Sequence, residues 1–251
     1  MFHFENLQVR YEPYPIAVVR PVFDESFYAQ LLATYPPIEL FEQMPKVGHK
    51  YSLAEHMNPR AYRDFVASTP PWKDLHAWIK SRAFVDSVER ALLDHRIDIW
   101  LGERQRTFVK RSRRALRDLR RGRLPSERLR LRTRFEFSAL PADGGLVMPH
   151  TDTPKKVVTL VVSMVGEGEW NPEWGGGTEV SRPLDASESF NWENRQLPFD
   201  QVAPLHTYAF QPNQCILFVK TFNSLHCVRP MTAHGSDVLR RTLTINIEHD
   251  E

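Results

Sequence analysis

Along the first hundred residues apolar side chains recur at helical spacing, and after about residue 130 the period drops to two. Asp24 can cap a helix in which Phe27, Tyr28, Leu31, Leu32 and Tyr35 share a face, and Pro36-Pro37 ends it. Pro70-Pro71 opens a second pattern through Trp72, Leu75, Trp78 and Ile79, and a third spaces Phe84, Val88 and Leu92 four apart. Stripes of this kind pack against a core, so segment 1–103 is expected to be mostly helices with connecting loops. Further on, RLRLRTRFEFSAL alternates polar with apolar residues as a half-buried strand does, and KKVVTLVVSM, LHTYAF, QCILFVK, LHCVRPM and RRTLTINIE follow. Turn signals separate these runs, among them Asp143-Gly144-Gly145, Gly175-Gly176-Gly177 and Gln211-Pro212-Asn213. Helices followed by short β-rich runs predict an α+β chain, with an N-terminal helical layer against a β sandwich or barrel. There is no internal repeat and no Ser/Gly-rich linker. A single domain over 1–251 is expected, divided into the helical layer, a basic segment at 104–129 and a β core at 130–251.

Composition changes this picture little, and charge changes it in one place. Hydrophobic residues at 41% and charged ones at 25% fit a globular protein with a real core. No apolar stretch approaches the roughly 20 residues a membrane helix needs, and the N-terminus lacks a basic start followed by an apolar run, so no secretory signal is expected. Cys215 and Cys227, the two cysteines, sit in strand-like apolar sequence and read as buried free thiols in a reducing, cytoplasmic setting. The net charge of +2 hides an asymmetry. Residues 104–134 hold fourteen Lys/Arg against two acids, a local +12, while the remaining 19 basic and 29 acidic residues give −10. Arg111, Arg113, Arg114, Arg117, Arg120 and Arg121 fall partly on helical faces with Leu116 and Leu119 between them. Such a run is a solvated helix or an electrostatic capture surface for an anion. Phe108 is the one aromatic inside it, so base stacking has little support and nucleic acid is not the favoured partner.

The candidate chemistry begins at LVMPHTDTPKKVVTLVV, residues 146–162, where His150 and Asp152 stand two apart at the head of a β-branched run. If both lie on one strand they face the same side. The pair alone is weak: an Asx-type turn with a surface imidazole is equally consistent, and His249-Asp250-Glu251 repeats the spacing by chance. FNSLHCVRPM adds His226 at the end of an apolar strand, 76 residues later. Two histidines and a carboxylate on one side of an ion, with the other positions open, form the facial triad of non-haem Fe(II) oxygenases, whereas a lone strand histidine would be a hydrogen-bonded core residue. In LRRTLTINI, Arg240, Thr242 and Thr244 alternate against Arg241, Leu243 and Ile245. A guanidinium there could grip a carboxylate bidentately or form an ordinary surface ion pair, and Arg241 competes with Arg240 for the role.

In this order the elements resemble the Fe(II)/2-oxoglutarate-dependent dioxygenases, particularly the prolyl-hydroxylase-like branch, over roughly residues 130–248. The matching elements are FEFSALPADGGLVMPHTD, VVTLVVSM, EWNPEWGGGTEV, PNQCILF, SLHCVRPM and RRTLTINI. The resemblance implies a double-stranded β-helix (jelly-roll) core, His150, Asp152 and His226 as catalytic metal ligands, and Fe(II), 2-oxoglutarate and O2 as cofactor and cosubstrates. It implies Arg240 on the far carboxylate of 2-oxoglutarate with Thr242 supporting it, since a small hydroxyl residue follows the family's arginine by two. A tyrosine often donated by the strand before the metal motif is replaced here by Phe135 and Phe137. The implied reaction is hydroxylation of an unactivated C–H with release of succinate and CO2. Retention of Asp152 disfavours halogenation, for which a halide must take the carboxylate's place. A small-molecule substrate, anionic or saccharide-like, is expected; the rival is a non-enzymatic jelly-roll binding protein docking nucleic acid through its basic segment. Trp170 and Trp174 either roof the active-site mouth or pack a hairpin, His206 and His234 read as strand-edge and loop residues, and Gly175–Gly177 is a hairpin turn without the Lys-[ST] of a phosphate loop.

Overall fold

The computed structural model describes residues 2–45, 48–99, 116, 119, 120, 122 and 131–249, so most of the basic run, including Arg111, Arg113, Arg114, Arg117 and Arg121, lies outside the described residues. Four α-helices are present among the described residues: α1 (Glu25–Ala33), α2 (Pro59–Ser68), α3 (Pro70–Ile79) and α4 (Arg82–Asp94). The strands are β1 (Leu7–Arg10), β2 (Ile16–Val19), β3 (Glu42–Met44), β4 (Lys50–Ala54), β5 (Leu131–Pro141) and β6 (Val147–His150). They continue with β7 (Lys156–Ser163), β8 (Thr178–Pro183), β9 (Val202–Tyr208), β10 (Cys215–Val219), β11 (His226–Val228) and β12 (Leu239–His249). All pair antiparallel, in an eight-stranded sheet ordered β1-β2-β10-β7-β12-β5-β4-β3 and a four-stranded sheet ordered β6-β11-β8-β9.

The strand period decides what each face meets. On β12 the odd residues Leu243, Ile245 and Ile247 join Phe135 and Phe137 of β5 and Val158, Leu160 and Val162 of β7 in one buried cluster. The helices supply its other half: Tyr28 and Leu31 from α1, Tyr62 and Val66 from α2, Trp72, Leu75 and Ile79 from α3, Phe84, Val88 and Leu92 from α4. Trp72 meets Phe137 edge-on at 4.7 Å between ring centroids. Burying each such side chain contributes about 1.5–3 kcal/mol. The predicted stripes thus bury as their spacing implies. Asp24 stands at the N-cap position of α1, yet its carboxylate caps no backbone amide and lies 3.4 Å from His3 Nε2 instead. Ser81 does cap α4, accepting from the Phe84 N–H at 3.3 Å.

One expectation needs correcting. Segment 1–103 is not made only of helices and loops: β1 to β4 come from it, and β1-β2 and β4-β3 form the two ends of the large sheet. The strands are only three to five residues long, too short for alternation to register, and β2 reads as a continuous apolar run because it is covered on both sides. The other face of the large sheet looks toward the small one. There Ile16, Ile216 and Phe218 cluster with Tyr14 and with Val180 of β8. Toward β5 the same face turns polar, with Thr159, Asn246, Thr242, Ser138 and Glu136 all buried. Cys215 and Cys227 are buried free thiols, as expected.

Candidate metal centre

Antiparallel pairing of β6 with β11 sets His150 directly opposite His226, with ring centroids 4.4 Å apart. In each ring Nδ1 lies 2.9 Å from the carbonyl oxygen two residues upstream, Met148 for His150 and Ser224 for His226. A carbonyl only accepts, so each Nδ1 carries the proton and donates, and each Nε2 presents a lone pair. Outer hydrogen bonds of this kind fix ring orientation at metal sites. Phe218 packs on the His226 ring at 4.1 Å. Burial, reinforced by the neighbouring His150, pushes the His226 pKa down to about 3, so it is a neutral imidazole near pH 7.

Asp152 arrives by a route the strand period does not describe. β6 ends at His150, and Asp152 takes a φ of 68°, the left-handed region that aspartate tolerates better than most residues. The expectation that His150 and Asp152 share one face of one strand is therefore replaced by a turn that swings the carboxylate back beside the rings. Oδ1 lies 3.6 Å from His150 Nε2 and 2.5 Å from Lys156 Nζ, while Oδ2 accepts from the Thr159 hydroxyl at 2.9 Å. Burial opposes ionisation, but Lys156 outweighs it and holds the carboxyl well below its usual range. One ligand atom from each of His150, Asp152 and His226 lies within 4.8 Å of the others. Two imidazole nitrogens and a carboxylate oxygen suit a borderline divalent metal.

Arg240 and Arg241 separate cleanly. Arg241 points to the helical side, its guanidinium 5.4 Å from the Tyr35 ring centre and 3.4 Å from Glu169. Arg240 is buried on the face shared with Thr242 and Asn246, where Nε donates to the Gly176 carbonyl at 2.5 Å and the guanidinium lies 4.6 Å from the Phe210 ring centre. No acidic side chain among the described residues pairs with it, and burial alone pulls its pKa down to about 10. Thr242 shares a 2.9 Å hydrogen bond with the Ser138 hydroxyl. Trp170 packs edge-on against Trp174 and Phe210 and donates to the Gly175 carbonyl, so it braces the hairpin beside Arg240. Phe135 and Phe137 face the helices. Tyr208 of β9, which sequence reading did not single out, packs against the interior cluster with its hydroxyl buried and unpartnered among the described residues. LHTYAF contains it, but nothing local marks the face it takes. His206 stands beside Tyr208 on the edge strand, and His234 is exposed in a loop near Asp143.

No family model and no curated protein sequence matches the chain. Among solved structures it is similar to a prolyl-4-hydroxylase from Pseudomonas putida, at 13% identity and a TM-score of 0.46 over 93% of this chain and 92% of that one. It is also similar to HygX from Streptomyces hygroscopicus, solved with nickel and 2-oxoglutarate bound, at 11% identity and a TM-score of 0.47 over 94% and 83% of the two chains. A third is a prolyl hydroxylase from Trichoplax adhaerens in complex with a hypoxia inducible factor peptide, at 12% identity and a TM-score of 0.45 over 94% and 84%. At these scores the likenesses say what the chain is similar to, and the chemistry of the site has to be read from its own residues. Among the described residues no helix is long and apolar enough to cross a membrane.

Proposed function

We propose that the protein is an Fe(II)- and 2-oxoglutarate-dependent dioxygenase that hydroxylates an unactivated C–H bond of a small polar substrate. The observation that carries this reading is the convergence of two Nε2 lone pairs, each fixed by its own Nδ1–carbonyl bond, with an ionised Asp152. His150, Asp152 and His226 would hold the ion from one side and leave room on the other for a chelating cosubstrate and O2. When bound, the iron would couple oxidative decarboxylation of 2-oxoglutarate, which yields succinate and CO2, to oxidation of the substrate.

The chain's own residues supply the remainder. Arg240 is a buried cation whose guanidinium has no carboxylate partner among the described residues, so an incoming carboxylate would gain charge-assisted hydrogen bonds without displacing one of them. Phe210 and the Gly176 carbonyl hold it in place. Thr242, tied to Ser138, lines the same face beside it. Phe218, Ile216, Ile16 and Val180 keep the region behind the histidines apolar and dry. The two facing sheets support a double-stranded β-helix core with the N-terminal helices layered on it as one domain. A polar, saccharide-like substrate suits the charged interior edge of β4, β5 and β12, where Lys50 pairs with Glu136 and Arg134 with Glu248; the basic run argues for an anionic group on it.

Anaerobic addition of Fe(II) and then 2-oxoglutarate should produce the weak visible charge-transfer absorption of the chelate, and admission of air should release succinate. His150→Ala should remove both signals. Absence of the band and of succinate from the wild-type protein would overturn the reading; turnover surviving in His150→Ala would overturn the ligand assignment.

A further inference from the structure

Behind Asp152 three polar side chains from three adjacent strands lie in register. Asn246 of β12 stands directly opposite Thr159 of β7 on one side and Arg134 of β5 on the other. Directly opposed residues on one sheet face bring their Cβ atoms to about 5 Å. Thr159 Oγ1 lies 2.9 Å from Asp152 Oδ2 and 3.0 Å from Asn246 Oδ1, so a single hydroxyl proton faces two acceptors. Beside it two donors go to waste: Asn246 Nδ2 and Arg134 Nε are both buried without a partner among the described residues. Asn246 is fully buried, so bulk solvent does not reach its amide.

One change removes all three faults. The oxygen and nitrogen of a side-chain amide have nearly the same shape, and which is which is decided by the hydrogen bonds they make. We propose that the Asn246 amide is turned with Nδ2 toward Thr159 and Oδ1 toward Arg134, so that Arg134, Asn246 and Thr159 form a one-directional hydrogen-bonded chain positioning the Asp152 carboxylate for metal ligation. Arg134 Nε donates to Asn246 Oδ1, Asn246 Nδ2 donates to Thr159 Oγ1, and the Thr159 hydroxyl donates to Asp152 Oδ2 without a competitor. Glu248, 3.4 Å from Arg134 Nη2, anchors the outer end. Oδ1, the oxygen nearer His150 Nε2, is left to face the imidazoles, with Lys156 Nζ beside it. The arrangement answers a mechanical need of the site. Asp152 sits past the end of β6 on a left-handed turn, and the chain ties its orientation to the central strands of the large sheet rather than to that turn.

The inference rests on the metal-centre reading and assigns Thr159 and Asn246 as positioning residues. Mn(II) titration followed by loss of the free-ion EPR signal reads the site without any turnover. Thr159→Val keeps the shape and removes the hydroxyl, and it should weaken Mn(II) binding about 10- to 100-fold; Thr159→Ser should restore it. Asn246→Asp discriminates the orientation. With Nδ2 toward Thr159 the variant loses a donor and adds a rival acceptor, so it should weaken binding as Thr159→Val does. With Oδ1 toward Thr159 the existing contact survives, and wild-type affinity in Asn246→Asp would overturn the proposal, as would wild-type affinity in Thr159→Val. Should a variant not fold, NOEs from the Asn246 side-chain NH2 protons in the wild-type protein decide the matter: contacts to Thr159 support the chain, and contacts to Arg134 instead refute it. Failure of the wild-type protein itself to bind Mn(II) would strike the proposed function, while the NOE pattern would still settle the amide.

Discussion

Burial acts on His226 and Asp152 in opposite directions, and the site needs both outcomes. Desolvation penalises a charge, so it holds His226 neutral with a pKa of about 3 and would hold Asp152 neutral too, were Lys156 not beside it. Neutral nitrogen donors and a negative oxygen donor are the states a divalent ion binds. Arg240 pays for its burial differently, with a lowered pKa and no counter-ion among the described residues, so its charge is available to a ligand. Replacing it by Met should raise the KM for 2-oxoglutarate by about 10- to 100-fold, the worth of a lost hydrogen bond to a charged group. Mn(II) affinity should stay unchanged in the same variant. Arg241→Met, on the opposite face against Tyr35, should leave that KM where it is. Initial rates of succinate release across a 2-oxoglutarate series separate the two.

At the scale of elements, hairpins and ladders hold these side chains in place. Gly176, at the entry to β8, has a φ of 78°, and a Cβ there would come within 2.8 Å of Trp170 Cζ2, 3.0 Å of Met231 Sδ and 3.3 Å of Arg240 Cδ. Gly176→Ala should therefore lower stability by about 1–3 kcal/mol and raise the KM for 2-oxoglutarate by displacing Arg240, which thermal melts and the same rate series would show. On the β4–β5 ladder Glu136 is buried and receives Lys50 at 2.5 Å and the Ser52 hydroxyl at 3.0 Å. Burial alone would raise its pKa; Lys50 chiefly, with Arg134 and Ser52, pulls it down to about 2 from 4.5. A depressed carboxylate pKa adds stability above the unfolded value and loses it as pH falls, here between about 4.5 and 2. The contribution is on the order of 3 kcal/mol. Glu136→Gln should be less stable at pH 7 and should flatten that acid limb, measured by urea midpoints at stepped pH.

For the whole molecule, stability and chemistry lie on opposite faces of one sheet. The helical side is a continuous apolar cluster with Trp72 fully buried at its centre, whereas the inner side carries Arg240 and the polar supports and faces the small sheet, whose β6 and β11 hold His150 and His226. Residues without shared partners act nearly independently. Trp72→Ala should thus cost about 3–5 kcal/mol in thermal or denaturant unfolding while leaving the Mn(II) affinity of the folded protein unchanged.

Much of the site was legible from the chain alone because a strand's period is a local property. RRTLTINI already separates the Arg240 face from the Arg241 face, and the helical stripes already name the residues that bury. His150, Asp152 and His226 stood out by residue type and order. What tertiary structure decided was everything that depends on register between distant segments. Only pairing of β6 with β11 sets the two imidazoles opposite each other, and only the left-handed turn brings Asp152 to them. Strands β1 to β4 are too short to announce themselves and exist because the large sheet offers them edges. Thr159, Asn246 and Arg134 look like unrelated polar residues in three separate runs. They become neighbours because hydrogen-bonded backbones align β7, β12 and β5, a constraint that no local pattern contains.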